Sequence, residues 1–299
     1  MRNVKLKQML ALFCAGLTLA CSLPGCSRAP KLERYNRQFL DVFDTVSMEI
    51  GFEKSEADFQ KCYDSSHAQL LKEHKLYDIY NSYEGINNLK TVNDNAGIQP
   101  VKVDPDLIAL VNWGKEVYAL TDGKVNIAYG AVLRLWHDKR DAGIEDPTHA
   151  ELPDPAALEE AAKHTNIEDV IIDEAAGTLY LKDPEMSLDV GGIGKGYATE
   201  NAAKLIQNEG SESFLLNLGG NVRAIGIKGD GSKWVCPVES PGYRDRQSGD
   251  QYAITCYLDG RSLVTSGDYE RYYIVDGQRY HHIIDPDTLY PASYHRSVS

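Results

Sequence analysis

Ser187-Leu188-Asp189-Val190-Gly191-Gly192-Ile193-Gly194-Lys195-Gly196-Tyr197 leads from an apolar strand-like segment into a helical one. Glycines at such a junction let backbone N–H and C=O groups approach a ligand closely, and a helix N-terminus favours an anion. Lys195 adds a point charge suited to a phosphate. The glycine spacing is not that of a Walker A loop, no Ser or Thr follows the lysine, and GxGxxG is not matched either. A phosphate cradle and a purely structural helix cap both stay open on these residues alone.

Outward from this stretch, helices and strands alternate without a βαβ rhythm, which predicts an α+β fold rather than a doubly wound sheet. Ser55 with Asp58 forms a capping-box pattern and opens a helix to about residue 80, with Phe59, Tyr63, Leu70 and Leu71 on one face. Asp104-Pro105 starts a second helix through residue 120, closed by Gly123. Further helices are expected over 155–164 and 195–208, the last stopping at Gly210. Residues 82–100, rich in Asn and Gly, lack a period and are expected to be loop. Strands are expected over 39–52, 170–173, 178–182, 214–218, 222–227, 234–238, 252–258 and 272–275, with hairpin turns at Gly229-Asp230-Gly231 and Asp276-Gly277.

With 299 residues, 42% hydrophobic and 25% charged, the chain has the balance of a folded globular protein. Its formal net charge of -13 argues against a nucleic-acid partner, which needs a basic face. Arg2, Lys5 and Lys7 precede an apolar run over 9–20 that is too short to span a membrane as a settled helix. That is the anatomy of an export signal. Leu23-Pro24-Gly25-Cys26 resembles a bacterial lipobox with Cys26 as lipid carrier; Cys21 is the weaker candidate, because Thr18 stands where leucine is usual. The expected organisation is a signal over 1–25, a tether over 26–38 and one domain over 39–299. The mature chain is expected at the extracytoplasmic face of the cell membrane.

Cys62, Cys236 and Cys256 lack metal-ligand spacing. Cys236 and Cys256 fall on expected strands, where pairing and burial as free thiols are both open.

Three more constellations could carry chemistry. In Tyr280-His281-His282-Ile283-Ile284-Asp285-Pro286, a histidine can act as a general base toward a hydroxyl, with Asp285 to orient it or to hold a cation. Adjacent histidines on a strand point to opposite faces, so they rarely share one metal. Leu216-Asn217-Leu218-Gly219-Gly220-Asn221 is a strand ending in a Gly pair. Thr265-Ser266-Gly267-Asp268-Tyr269 contains no nucleophile elbow, so Ser266 is expected to orient rather than attack.

Together, 187–197, Asn217 to Asn221, Ser266 to Tyr269 and His282 to Pro286 resemble the ApbE family of FAD:protein FMN transferases over roughly residues 40–295. Asn87 to Asn95 and Gly123 to Trp136 also look like family segments. The resemblance implies a T-fold-like α+β architecture and a Mg²⁺-dependent transfer of FMN from FAD to a Ser or Thr hydroxyl of an acceptor protein, with AMP released. It implies that Asp189 contacts the flavin nucleotide, Lys195 its phosphates, and the Gly192 carbonyl a Mg²⁺ ion. Tyr80 would cover a planar ring, His282 would be the base, and Ile283 would line the FAD site. Phe43 falls where many members have methionine, and Asn126 where many have aspartate. Family members continue past the His-Ile-Ile-Asp-Pro motif, so an Asp and a Thr that complete the Mg²⁺ site are expected beyond Ser299. On that expectation a non-catalytic FAD-binding lipoprotein is the alternative. A ligand-binding lipoprotein of an uptake system would need two α/β lobes, which the strand pattern does not support.

Overall fold

The computed structural model describes residues 31–245 and 249–299. Cys26 and the export signal lie outside them. Its centre is an antiparallel five-stranded sheet built from β1 (Glu33–Phe39), β2 (Ser47–Glu53), β6 (Phe214–Leu218), β7 (Asn221–Ile225) and β10 (Ser262–Val264), in the order β1-β2-β6-β7-β10. Between β2 and β6 the chain forms α1 (Glu56–Tyr77), α2 (Leu89–Asp94), β3 (Val101–Lys102), α3 (Pro105–Leu120), α4 (Gly130–Glu145), α5 (Pro155–Ala161), β4 (Val170–Asp173), β5 (Thr178–Leu181) and α6 (Gly194–Asn208). After β7 come β8 (Trp234–Glu239), α7 (Pro241–Arg244) and β9 (Tyr252–Leu258). Beyond β10 lie β11 (Ser266–Gly267), β12 (Tyr272–Val275), β13 (Gln278–His281) and β14 (Ser297–Val298). The α+β expectation holds.

Strand alternation divides the two faces of the sheet. On one face, Gly51 of β2 lets Phe59 of α1 stack on Phe214 of β6, ring centroids 5.5 Å apart; a Cβ on Gly51 would lie 2.6 Å from Phe214. This face joins α1 and α6 in the main core with Leu70, Leu76, Ala198, Ala202 and Ile206. On the other face, Ile50, Leu215 and Ala224 pack under the antiparallel β8–β9 hairpin through Trp234, Cys236 and Leu258. A third cluster joins α4 and α5 to the β12–β13 hairpin through Val132, Trp136, Leu158 and Tyr273.

Four expectations are corrected. Residues 33–38, read as tether, belong to β1, because Tyr35 stacks on Phe59 at 5.8 Å and Phe39 is buried. The expected loop over 82–100 contains α2, held by a capping box of Asn88 and Thr91 and by burial of Leu89 and Val92; six residues are too few for a readable period. Helix α4 was not anticipated. It starts at a glycine, contains Gly143, and has no side-chain N-cap, so it lacks a start signal. The Gly229–Gly231 turn does not join a hairpin, since β7 pairs with β6 and β10 while β8 pairs with β9. Asp276-Gly277 does, with φ of 49° and 78°.

Candidate active site

The Gly-rich stretch forms the entry to α6. The Asp189 backbone N–H donates to the Ile127 carbonyl at 2.8 Å, and its carboxylate accepts from the Gly191 N–H at 2.7 Å. Ile193 caps the helix without a side-chain hydrogen bond, so the first turn of α6 carries no side-chain acceptor. Lys195 stands in that turn, and burial, aided by the charge of Arg271, lowers its pKa. Tyr77 of α1 packs beside this turn, a ring carbon 3.6 Å from where a Cβ on Gly194 would lie. The β6–β7 turn closes over the same end: Gly219 and Gly220 have φ of 55° and 89°, and Asn221 Oδ1 would lie 3.6 Å from a Cβ on Gly196.

The second wall is the end of β13. The His282 Nδ1 lies 3.2 Å from the Arg271 carbonyl oxygen, which can only accept. Nδ1 therefore carries the proton, and the Nε2 lone pair is free to accept one. Burial pushes the His282 pKa down to about 4, and the Arg271 and Arg140 charges add to the shift. Asp285 does not orient this ring: its carboxylate accepts from the Asp287 N–H at 2.9 Å and from the Tyr294 hydroxyl at 2.8 Å. His281 is held separately, Nε2 to the Ala292 carbonyl at 2.8 Å.

A small cleft between α4 and β12–β13 is lined by Leu133, Trp136, His137, Arg140, His281 and His282 among others. The first four recur at i, i+3, i+4 and i+7 on one face of α4. Tyr80 bridges the rim, its hydroxyl 2.9 Å from His137 Nδ1, while the residue is 60% exposed. Burial lowers the His137 pKa. Burial raises that of Tyr80, and Asp189 adds to it. Asp189 thus acts electrostatically on both Tyr80 and His137, and Arg271 on both His282 and Lys195. His137 and His282 line this one cleft, and Tyr80 reaches it through its hydrogen bond to His137.

Other expected residues have different surroundings. Asn126 spends its amide on the backbone, Oδ1 accepting from the Ala128 N–H two residues on and Nδ2 donating to the Thr165 carbonyl. Phe43, with φ of 53°, packs against His74 and Tyr77, and its N–H donates to His74 Nδ1. Ile283 is 37% exposed beside His282. Ser266 pairs with Val298 on a short edge, and Asp268 accepts from Arg279 and Arg296. His137, Arg140 and Arg271 were missed by sequence reasoning. The helical spacing of 133, 136, 137 and 140 was available; a backbone carbonyl that sets a tautomer leaves no sequence trace.

Gly192 is exposed and its position is open. Among the described residues no group of three or more His, Cys, Asp or Glu side chains could hold a metal. Gly192 offers a backbone carbonyl, one oxygen of the several that a Mg²⁺ ion takes.

The ApbE family profile matches residues 45–299. An FAD:protein FMN transferase of Klebsiella pneumoniae is 32% identical over 223 residues, covering 75% of this chain and 65% of the relative. One of Treponema pallidum is 29% identical over 287 residues, 92% and 75% of the two chains. One of Salmonella typhimurium is 29% identical over 218 residues, 72% of this chain and 60% of the relative. The chain thus spans less than two thirds of the length of some relatives it matches. The crystal structure of the ApbE protein of Thermotoga maritima superposes with a TM-score of 0.74 at 28% identity, covering 89% of this chain and 80% of that one. Profile, relatives and fold agree over the same domain: this chain belongs to the ApbE family.

Proposed function

We propose that the protein transfers FMN from FAD to a Ser or Thr hydroxyl of an acceptor protein and releases AMP. The observation that supports this reading is the His282 imidazole, its Nδ1 fixed on the Arg271 carbonyl and its Nε2 left to accept a proton, in a cleft that also presents His137 and Arg140. The family membership supplies the substrate class. The acceptor oxygen attacks the FMN phosphorus, the bond to the AMP phosphate breaks, and His282 Nε2 takes the hydroxyl proton. Such a positioned base contributes about 10²–10⁴-fold. Lys195, Arg271 and the backbone N–H groups of α6 hold the diphosphate in line and balance its charge. Asp189 and Tyr80 bound the flavin nucleotide, with Ile283, beside His282, on its apolar side. Magnesium dependence is part of the reading: the Gly192 carbonyl would be one donor to the ion, which would balance charge on the diphosphate.

We place the mature protein at the extracytoplasmic face of the cell membrane, held by lipid on Cys26. The motif Leu23-Pro24-Gly25-Cys26 supports it. Loss of lipid labelling in Cys26→Ala tests it.

The deciding experiment incubates the protein with FAD, Mg²⁺ and an acceptor protein bearing the target hydroxyl, and follows AMP together with covalent flavin fluorescence on a denaturing gel. AMP and a fluorescent acceptor are expected. His282→Ala should bind FAD within about twofold of the parent and lose transfer by roughly 10²-fold or more. Equal loss of binding overturns the base assignment. FAD binding without AMP favours a flavin-holding protein.

A further inference from the structure

We propose that Cys236 and Cys256 form a disulfide that staples the β8–β9 hairpin. The register sets the two residues directly opposite each other across the antiparallel pair. Directly opposed residues have Cα atoms about 4.5 or about 5.5 Å apart, according to whether the pair is hydrogen-bonded. Both values fall inside the span a disulfide bridges. Opposed residues also present their side chains to the same face, and both thiols pack into one cluster with Trp234, Leu258 and Leu215 beneath the hairpin. Both are free thiols in this structure.

The neighbouring ladder gives the staple a role. Pro237, opposite Thr255, has no N–H to donate, and the register shifts between Val238 and Glu239. Pairing is therefore weakest just beyond the cysteines, where a covalent bond fixes register. The segment between the two strands carries Asp245, which accepts from Arg279 of β13 at 2.6 Å and from Arg296. Closing this loop restrains the segment that braces the strand leading into His282.

The chemistry balances with a disulfide as oxidant. Cys256 is partly exposed and Cys236 is buried, where burial raises its thiol pKa and Cys256 adds to the shift. The Cys256 thiolate attacks a small-molecule disulfide, giving a mixed disulfide and one released thiol. Cys236, as thiolate, then attacks the Cys256 sulfur and expels the second thiol. Two protein thiols are oxidised by two electrons, one disulfide is reduced, and the two protons leave on the released thiols.

The test uses the full chain, reduced and then exposed to oxidised glutathione, quenched with N-ethylmaleimide and digested with trypsin. Cleavage after Lys233, Arg244, Arg246 and Arg261 leaves the two cysteines on separate peptides, 234–244 and 247–261. The joined peptide should rise at least about tenfold over the reduced sample. Cys62→Ser should retain it and Cys256→Ser should abolish it. Recovery of both cysteines as maleimide or glutathione adducts after oxidation overturns the proposal. So does a joined peptide that appears only when the chain is oxidised in urea.

Discussion

The imidazole Nδ1 of His282 and its own backbone N–H both point to one acceptor, the Arg271 carbonyl oxygen, at 3.2 and 3.0 Å. One backbone group thus fixes the ring's tautomer and its orientation, a task often given to a carboxylate. The guanidinium of the same residue acts separately, by charge, on His282 and Lys195.

The acid limb of activity follows from that environment. With the His282 pKa pushed down to about 4, the base stays unprotonated through pH 6. Transfer measured as kcat/KM should hold its plateau down to about pH 5 and fall near pH 4, not near the ordinary histidine value of about 6.5. Arg271→Gln keeps the carbonyl and removes the charge, so the limb should move up in pH. A limb near 6.5 in the parent contradicts the assignment. Stability has its own sign. Between about 6.5 and 4 the unfolded chain binds more protons at this site, so the folded state loses this contribution as pH falls.

Tyr80→Phe removes the hydroxyl that meets His137 Nδ1 and leaves the ring. A lost hydrogen bond at a partly exposed rim is worth about 1 kcal/mol, so FAD affinity should fall roughly fivefold. Titration of flavin fluorescence measures it, and kcat should change less than Kd. An unchanged Kd would remove Tyr80 from the ligand rim.

Glu49 is fully buried on β2, and its carboxylate accepts from the Ser66 hydroxyl, at 2.8 and 3.0 Å. Burial pushes its pKa up to about 8. The folded state keeps a proton that the unfolded chain releases near 4.5, so stability declines as pH rises from about 4.5 to 8. Glu49→Gln cannot ionise. It should be close to neutral below pH 4.5 and stabilise by on the order of 2–4 kcal/mol at pH 8.5, read by urea unfolding at both pH values.

Gly219 has φ of 55°, and a Cβ there would lie 2.1 Å from Thr45 Oγ1. Gly219→Ala should cost about 2 kcal/mol and lower Tm by about 5 °C in a thermal scan. Adding Thr45→Ser should leave most of the loss, because the Oγ1 atom remains.

Much of the frame was legible in the chain itself. The capping residues at Ser55 and Asp104, the glycine stop at Gly210 and the strand-forming runs from residue 214 onward are local signals, and the elements follow them. The Gly-rich entry to α6 and the histidines at the end of β13 are legible in the sequence as chemistry-bearing. Helix α4 was not, since it lacks a side-chain cap and begins at a glycine. With it went His137 and Arg140, which owe their places to the burial of Val132 and Trp136 against Tyr273.

The sequence by itself determined the α+β class and most element types, because propensity, capping and periodicity act over a few residues, and its Gly-rich and histidine motifs carried the family resemblance. Tertiary structure alone decided that a carbonyl and not Asp285 orients His282, that Arg271 tunes two groups at once, and that the Asn126 amide is spent on the distant Thr165 carbonyl. It also decided that Cys236 faces Cys256. These depend on which distant backbone atoms meet, and strand register and helix packing set such meetings through long-range burial that no local pattern encodes.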